Sequence, residues 1–105
     1  AAVLRDAGYA PRDFERLAGR ELGLAVASAM IALGKDLGAP MSLKEVGATE
    51  AHVTRMLEAA KDAKLRMKLE QMPIPMRADR GDIERLMKPT LEAAFTGEIE
   101  RVPRP

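Results

Sequence analysis

His52 is the only histidine of this 105-residue sequence, and it is the first side chain to consider as a base or a metal ligand. A metal site on a helix needs a second histidine or a carboxylate three or four residues away on the same face. Thr49, Arg55 and Met56 occupy the neighbouring positions instead. Because the sequence also has no cysteine, thiolate sites and disulfides are excluded. We interpret His52 as an exposed helix residue.

Two pairs of carboxylates could take part in acid–base chemistry, Asp79 with Asp82 and Glu98 with Glu100. The first pair lies where acidic side chains favour the start of a helix, so capping explains it without catalysis. A basic run in the middle of the sequence is more typical of a solvated helix edge than of an anion site: Lys61, Lys64, Arg66 and Lys68. The sequence has no glycine-rich phosphate loop and no nucleophile motif.

The composition favours a helical protein without a nucleic-acid surface. The 17 basic and 16 acidic residues are interspersed and leave a formal charge of +1. Hydrophobic residues make up 47% of the sequence but aromatic residues only 3%, which suits packed helices better than sheets. We expect the seven methionines to fill gaps in the core rather than to form an adaptable binding surface. No apolar run approaches the roughly 20 residues of a membrane helix, so we expect a soluble protein. The absence of cysteine fits the cytoplasm, which is the expected location.

The spacing of apolar residues predicts an all-α fold, a helical bundle. Residues 1–7 favour a helix, and a turn follows near residues 8–11. From Pro11 a short helix is expected to run into a long helix, which extends from about Gly19 to Leu37. Residues 62–72 fit either a helix or a partly extended segment. The long helix has small alanines on one side and larger apolar residues on one face: Val26, Met30, Leu33 and Leu37. We therefore expect it to be the most buried helix.

Capping residues and prolines divide the second half of the sequence. Ser42 begins a capping box for a single turn, and Thr49 caps the helix that follows. Two prolines at positions 73 and 75 exclude a helix there. Asp79 is expected to cap the last helix, and Pro89 either kinks that helix or splits it after Met87.

Two phrases of the sequence resemble segments of the iron-containing alcohol dehydrogenases. The first phrase is residues 37–48, LGAPMSLKEVGA. The second consists of MKLEQMPIPM at 67–76, IERLMKP at 83–89 and LEAAFTGEI at 91–99. Their order and spacing are similar to those of a bacterial branch of the family, whose chains end in a proline-containing turn and an alanine-rich helix. The chain thus resembles the C-terminal domain of a dehydroquinate synthase-like two-domain enzyme.

The resemblance implies a helical domain over residues 1–97 and an extended tail over 98–105. In the family, an N-terminal α/β domain binds NAD(P), and an aspartate and three histidines upstream of the matched segment hold iron or zinc. No catalytic, metal or cofactor-binding residue can be transferred to this sequence. We expect the chain alone to bind neither metal nor nucleotide and to be inactive. The resemblance places Lys64 and Leu65 on the wall of the substrate cleft.

The implied partner is the nucleotide-binding domain of the same polypeptide. We expect no nucleic acid and no membrane as partners, and the sequence does not decide whether the protein forms a homo-oligomer. Because the sequence begins at Ala1 within a helical pattern, we expect a fragment of a larger enzyme. A stand-alone interaction or scaffold module is the alternative, and it predicts a polar surface all round. A nucleic-acid-binding module would need a clustered basic face. The dehydrogenase hypothesis predicts an exposed apolar patch larger than the few hundred Å² usual for monomers.

Overall fold

The computed structural model describes residues 2–11 and 13–105 of the chain. All regular elements in this part are helical, which confirms the predicted all-α class: five α-helices, several 3-10 turns and one π-helical segment. None of the helices described is long and apolar enough to cross a lipid bilayer. The chain forms two compact units, residues 1–41 and residues 42–105.

The first unit contains α1, Ala2–Asp6, and the long helix α2, Gly19–Asp36, with a short 3-10 turn between them at Phe14–Arg16. The predicted bounds of the long helix are confirmed to within one residue. Tyr9 Oη donates a hydrogen bond of 2.6 Å to Asp36 Oδ2. This bond connects the segment after α1 to the end of α2, and it raises the pKa of Tyr9.

The expectation that α2 is the most buried helix is wrong. Within this helix, which is described throughout, only Ala29 and Gly34 are buried, whereas Met30 is 59% exposed. Leu37, which follows the helix, is 75% exposed. The Met41 side chain lies so close to Gly34 that a Cβ there would collide with its sulfur. The two buried residues of α2 are therefore small ones, which allow close approach to the helix backbone, whereas Val26 and Leu33 are half-buried.

The second unit is built around a cluster of buried apolar side chains. This unit contains helix α3, Glu50–Ala60, helix α4, Ala63–Glu70, and helix α5, Lys88–Thr96. The buried cluster consists of Val53, Leu57, Ala60 and Ile83. Partly buried side chains pack against it: Leu69, Ala78, Met87, Leu91 and Phe95. The core of this unit is thus the apolar stripe of α3 and the residues that cover it.

Pro89 lies just after a change of helix type, and the backbone remains helical across this position. Residues Ile83–Met87 form a π-helical segment, and α5 begins at Lys88 with the proline in its first turn. The π-helical segment accommodates the proline, which has no N–H and crowds the carbonyl four residues earlier in a regular α-helix. At the junction, Thr90 Oγ1 donates a hydrogen bond of 2.7 Å to the carbonyl of Leu86.

The predicted caps have different outcomes in the structure. Ser42 Oγ accepts a hydrogen bond from the backbone N–H of Glu45 (3.3 Å), which confirms the single turn expected there. The ambiguous stretch after α3 is helical, because Asp62 Oδ1 accepts from the backbone N–H of Lys64 (2.8 Å) and caps α4. The expectation for Asp79 is wrong, since this residue lies inside a 3-10 turn that ends at a left-handed glycine before the π-helical segment.

Candidate functional site

His52 lies in the first turn of α3, where it forms a capping box with Thr49. The backbone N–H of Thr49 donates to His52 Nδ1 (2.9 Å), and Thr49 Oγ1 lies 3.0 Å from the same nitrogen. Because Nδ1 accepts the backbone bond, the proton of the neutral ring is on Nε2. His52 is exposed, as expected, and it stabilises the start of α3. The bond between His52 and Thr49 was not predicted from the sequence, although their three-residue spacing is that of a capping box.

A metal ion would need a cluster of ligands. Among residues 2–11 and 13–105, no three His, Asp or Glu side chains lie close enough together to hold one.

Asp79 and Asp82 form separate structural contacts rather than one acid–base pair. Asp82 is buried; its Oδ2 accepts from the backbone N–H of Arg77 (2.9 Å), and its Oδ1 accepts from Arg85 Nη2 (2.7 Å). The backbone bond, and after it the guanidinium of Arg85, lower the pKa of Asp82. Asp79 accepts from Arg77 Nε and Nη2 (3.2 and 3.0 Å), which lowers its pKa as well. Both carboxylates stay ionised at neutral pH, which suits a structural role.

Lys64 and Leu65, assigned by resemblance to a cleft wall, lie in the first turn of α4. Both are exposed, and Leu65 retains 39% of its surface. The basic run around them lies on an exposed edge, in keeping with its interpretation as a solvated face. Two of its members contact carboxylates nearby: Lys61 with Glu58 (3.2 Å) and Glu84 (3.5 Å), and Arg66 with Glu70 (3.2 Å).

Several methionines are exposed, so the expectation that the methionines fill gaps in the core is wrong for these residues. Met67 is 62% exposed and Met72 is 42% exposed, and in the first unit Met30 is also more exposed than buried. In the second unit, these two methionines share the region of α4 and the following proline segment with exposed Leu65 and Ile74. We call these four side chains the exposed α4 apolar residues; Leu65 and Met67, two positions apart, lie on different sides of the helix.

A largely apolar cleft of about 300 Å³ lies between the proline segment after α4 and the end of the chain. Its lining includes Met72, Ile74, Met76, Leu86, Val102 and Pro103. The region expected to be an extended tail, residues 98–105, contains a 3-10 turn at Ile99–Arg101 before it reaches this cleft.

A second cavity, of about 360 Å³, lies between α3 and α5, and we call it the α3/α5 groove. Its apolar lining is Val53, Leu57 and Phe95. Its polar lining is Glu50, Thr54, Lys88, Glu92, Thr96 and Arg101. Sequence reasoning missed these polar residues. The four-residue spacing of Lys88 and Glu92 indicates a shared helix face, but no local pattern shows which helix lies opposite.

Comparison of the chain with protein-family models, with curated proteins and with solved structures finds no match. The resemblance of residues 37–99 to a dehydrogenase family therefore depends on the two sequence phrases alone.

Proposed function

We propose that this chain is the C-terminal helical domain of a metal-dependent NAD(P) alcohol dehydrogenase of the iron-containing family. One observation supports this proposal above others. The phrases at residues 37–48 and 67–99 occur in the order and spacing of that family. The first phrase covers the turns between α2 and α3, and the second covers the end of α4, the proline segment and α5. The helical structure of the described residues is compatible with such a domain.

The proposed task of the domain is to form one wall of the active-site cleft and to exclude water from it. The exposed α4 apolar residues support this task, because a domain that packs against another domain is expected to expose apolar side chains when it is viewed alone. Leu65, one of the two proposed wall residues, is among them. A scaffold with a polar surface all round would not expose this group of residues.

The chemistry of the intact enzyme would come from groups outside this chain. A nucleotide bound by the other domain would accept the hydride, and a metal would favour the alkoxide form of the alcohol. The residues described here would contribute by positioning and by shielding the cleft.

The decisive test is the gene upstream of the codon for Ala1. We expect it to encode an α/β domain with an aspartate and three histidines at metal-binding spacing. The full gene product should reduce NAD(P) in the presence of an alcohol and lose this activity on chelation. An upstream sequence without those ligands would contradict the proposal and favour the stand-alone module.

The 105-residue chain provides the matched control. It should show no alcohol-dependent NAD(P) reduction and should retain no stoichiometric iron or zinc after dialysis. Turnover by this chain alone, or bound metal that is lost on His52→Ala, would show that its proposed dependence on another domain is wrong.

A further inference from the structure

We propose that the α3/α5 groove binds a small zwitterion with an apolar middle, whose ammonium end contacts Glu50 and whose carboxylate end contacts Lys88. The inference is independent of the proposed dehydrogenase function, because no groove residue was assigned a part in it. Four observations support it: the direction of the two helices, the state of the charged groups, the apolar lining and the length of the groove.

Helices α3 and α5 run in opposite directions along the groove. The backbone N–H of Leu43, before α3, donates to the carbonyl of Ala94, near the end of α5 (3.0 Å). At the other end, Lys61 Nζ, just after α3, lies 3.5 Å from Glu84 Oε1, before α5. The first turn of α3 and the first turn of α5 therefore lie at opposite ends of the groove.

This arrangement separates the two charges that are free to bind a ligand. Glu50 is the first residue of α3, and Lys88 is the first residue of α5. Within the described part of the chain, neither side chain forms an ion pair. The other two charged groups of the lining satisfy each other, since Arg101 Nη2 lies 3.7 Å from Glu92 Oε2. The groove thus offers one carboxylate at one end and one ammonium group at the other.

The space between these ends has an apolar wall and is of suitable size. Val53, Leu57 and Phe95 form this wall, and Thr54 and the Glu92–Arg101 pair also line the space. Its volume of about 360 Å³ is within the range of small-molecule sites. From Glu50 to Leu57, α3 rises by about 10 Å at 1.5 Å per residue. An extended ω-amino acid with an alkyl chain of medium length matches this distance. A ligand with only one charge would leave one end of the groove without a partner.

The test is a titration of the 105-residue chain with ω-aminooctanoate, followed through its backbone amide signals by NMR. We expect saturable shifts in residues of α3 and α5 that line the groove. Octanoate and octylamine, which each lack one charged end, should bind about three- to fivefold more weakly, the size expected for one exposed ion pair.

Two variants assign the ends of the ligand. Glu50→Gln should bring the affinity for ω-aminooctanoate down to that for octanoate, and Lys88→Gln should bring it down to that for octylamine. Lys68→Gln, an exposed change on α4 outside the groove lining, should keep the full preference for the zwitterion. Because ligands are compared within each variant, a general loss of stability cannot imitate the result. Equal binding of the three ligands, shifts confined to other residues, or an unchanged preference in both variants would overturn the proposal.

Discussion

Leu57→Ala tests whether α3 organises the core of the second unit. Leu57 is only 9% exposed and belongs to the buried cluster with Val53, Ala60 and Ile83. Burial of a leucine side chain contributes about 1.5–3 kcal/mol, and the cavity left by its removal adds to the loss. Because Leu57 also borders the α3/α5 groove, water can enter part of the space that is created. We therefore expect a cost of about 2–4 kcal/mol, below the upper limit for closed cores.

Urea unfolding followed by far-UV circular dichroism measures this cost. Met56→Ala is the matched control, since it changes the adjacent residue of the same helix, whose side chain is 39% exposed. Both variants introduce alanine, so the difference between them reports mainly burial. The free energy of unfolding of the control should fall by less than about 1 kcal/mol, and its dependence on urea concentration should not change. If Leu57→Ala proves no more harmful than Met56→Ala, the core has been assigned to the wrong helix.

Three further predictions concern glycine, charge and capping. Gly23→Ala should stabilise α2 by about 0.5–1 kcal/mol, because the added Cβ meets no atom. Gly34→Ala should stabilise it less, because the added Cβ meets the Met41 side chain. Equal increases in Tm for the two variants would contradict this prediction. The lowered pKa of Asp82 means that its ionised form stabilises the fold above about pH 4 and that this stability is lost as the pH falls through the lower folded-state pKa. The Tm of Asp82→Asn should therefore be lower than that of the unmodified chain at about pH 7, and the two Tm values should converge in strong acid. A difference in Tm that persists in acid would exclude a charge effect. His52→Ala should cost about 0.5–1 kcal/mol in urea unfolding, and His52→Gln should recover most of it by restoring an acceptor; an unchanged midpoint for the alanine variant would refute the capping role.

Features that depend on neighbours in the sequence could be predicted. The bounds of α2, the cap at Thr49 and the irregularity next to Pro89 all depend on hydrogen bonds or steric contacts within about four residues. The exposed position of His52 also followed from its neighbours. Its bond to Thr49 could have been predicted too, because the spacing is that of a capping box.

Features that depend on residues distant in the sequence were decided by the tertiary structure. Periodicity identified an apolar face on α2 but could not show that Ala29 and Gly34 would be buried in place of Met30. For the same reason, the sequence placed Glu50 and Lys88 on helices but not at opposite ends of one groove. A local pattern fixes which residues share a helix face, whereas burial and the pairing of faces depend on contacts that only the folded chain makes.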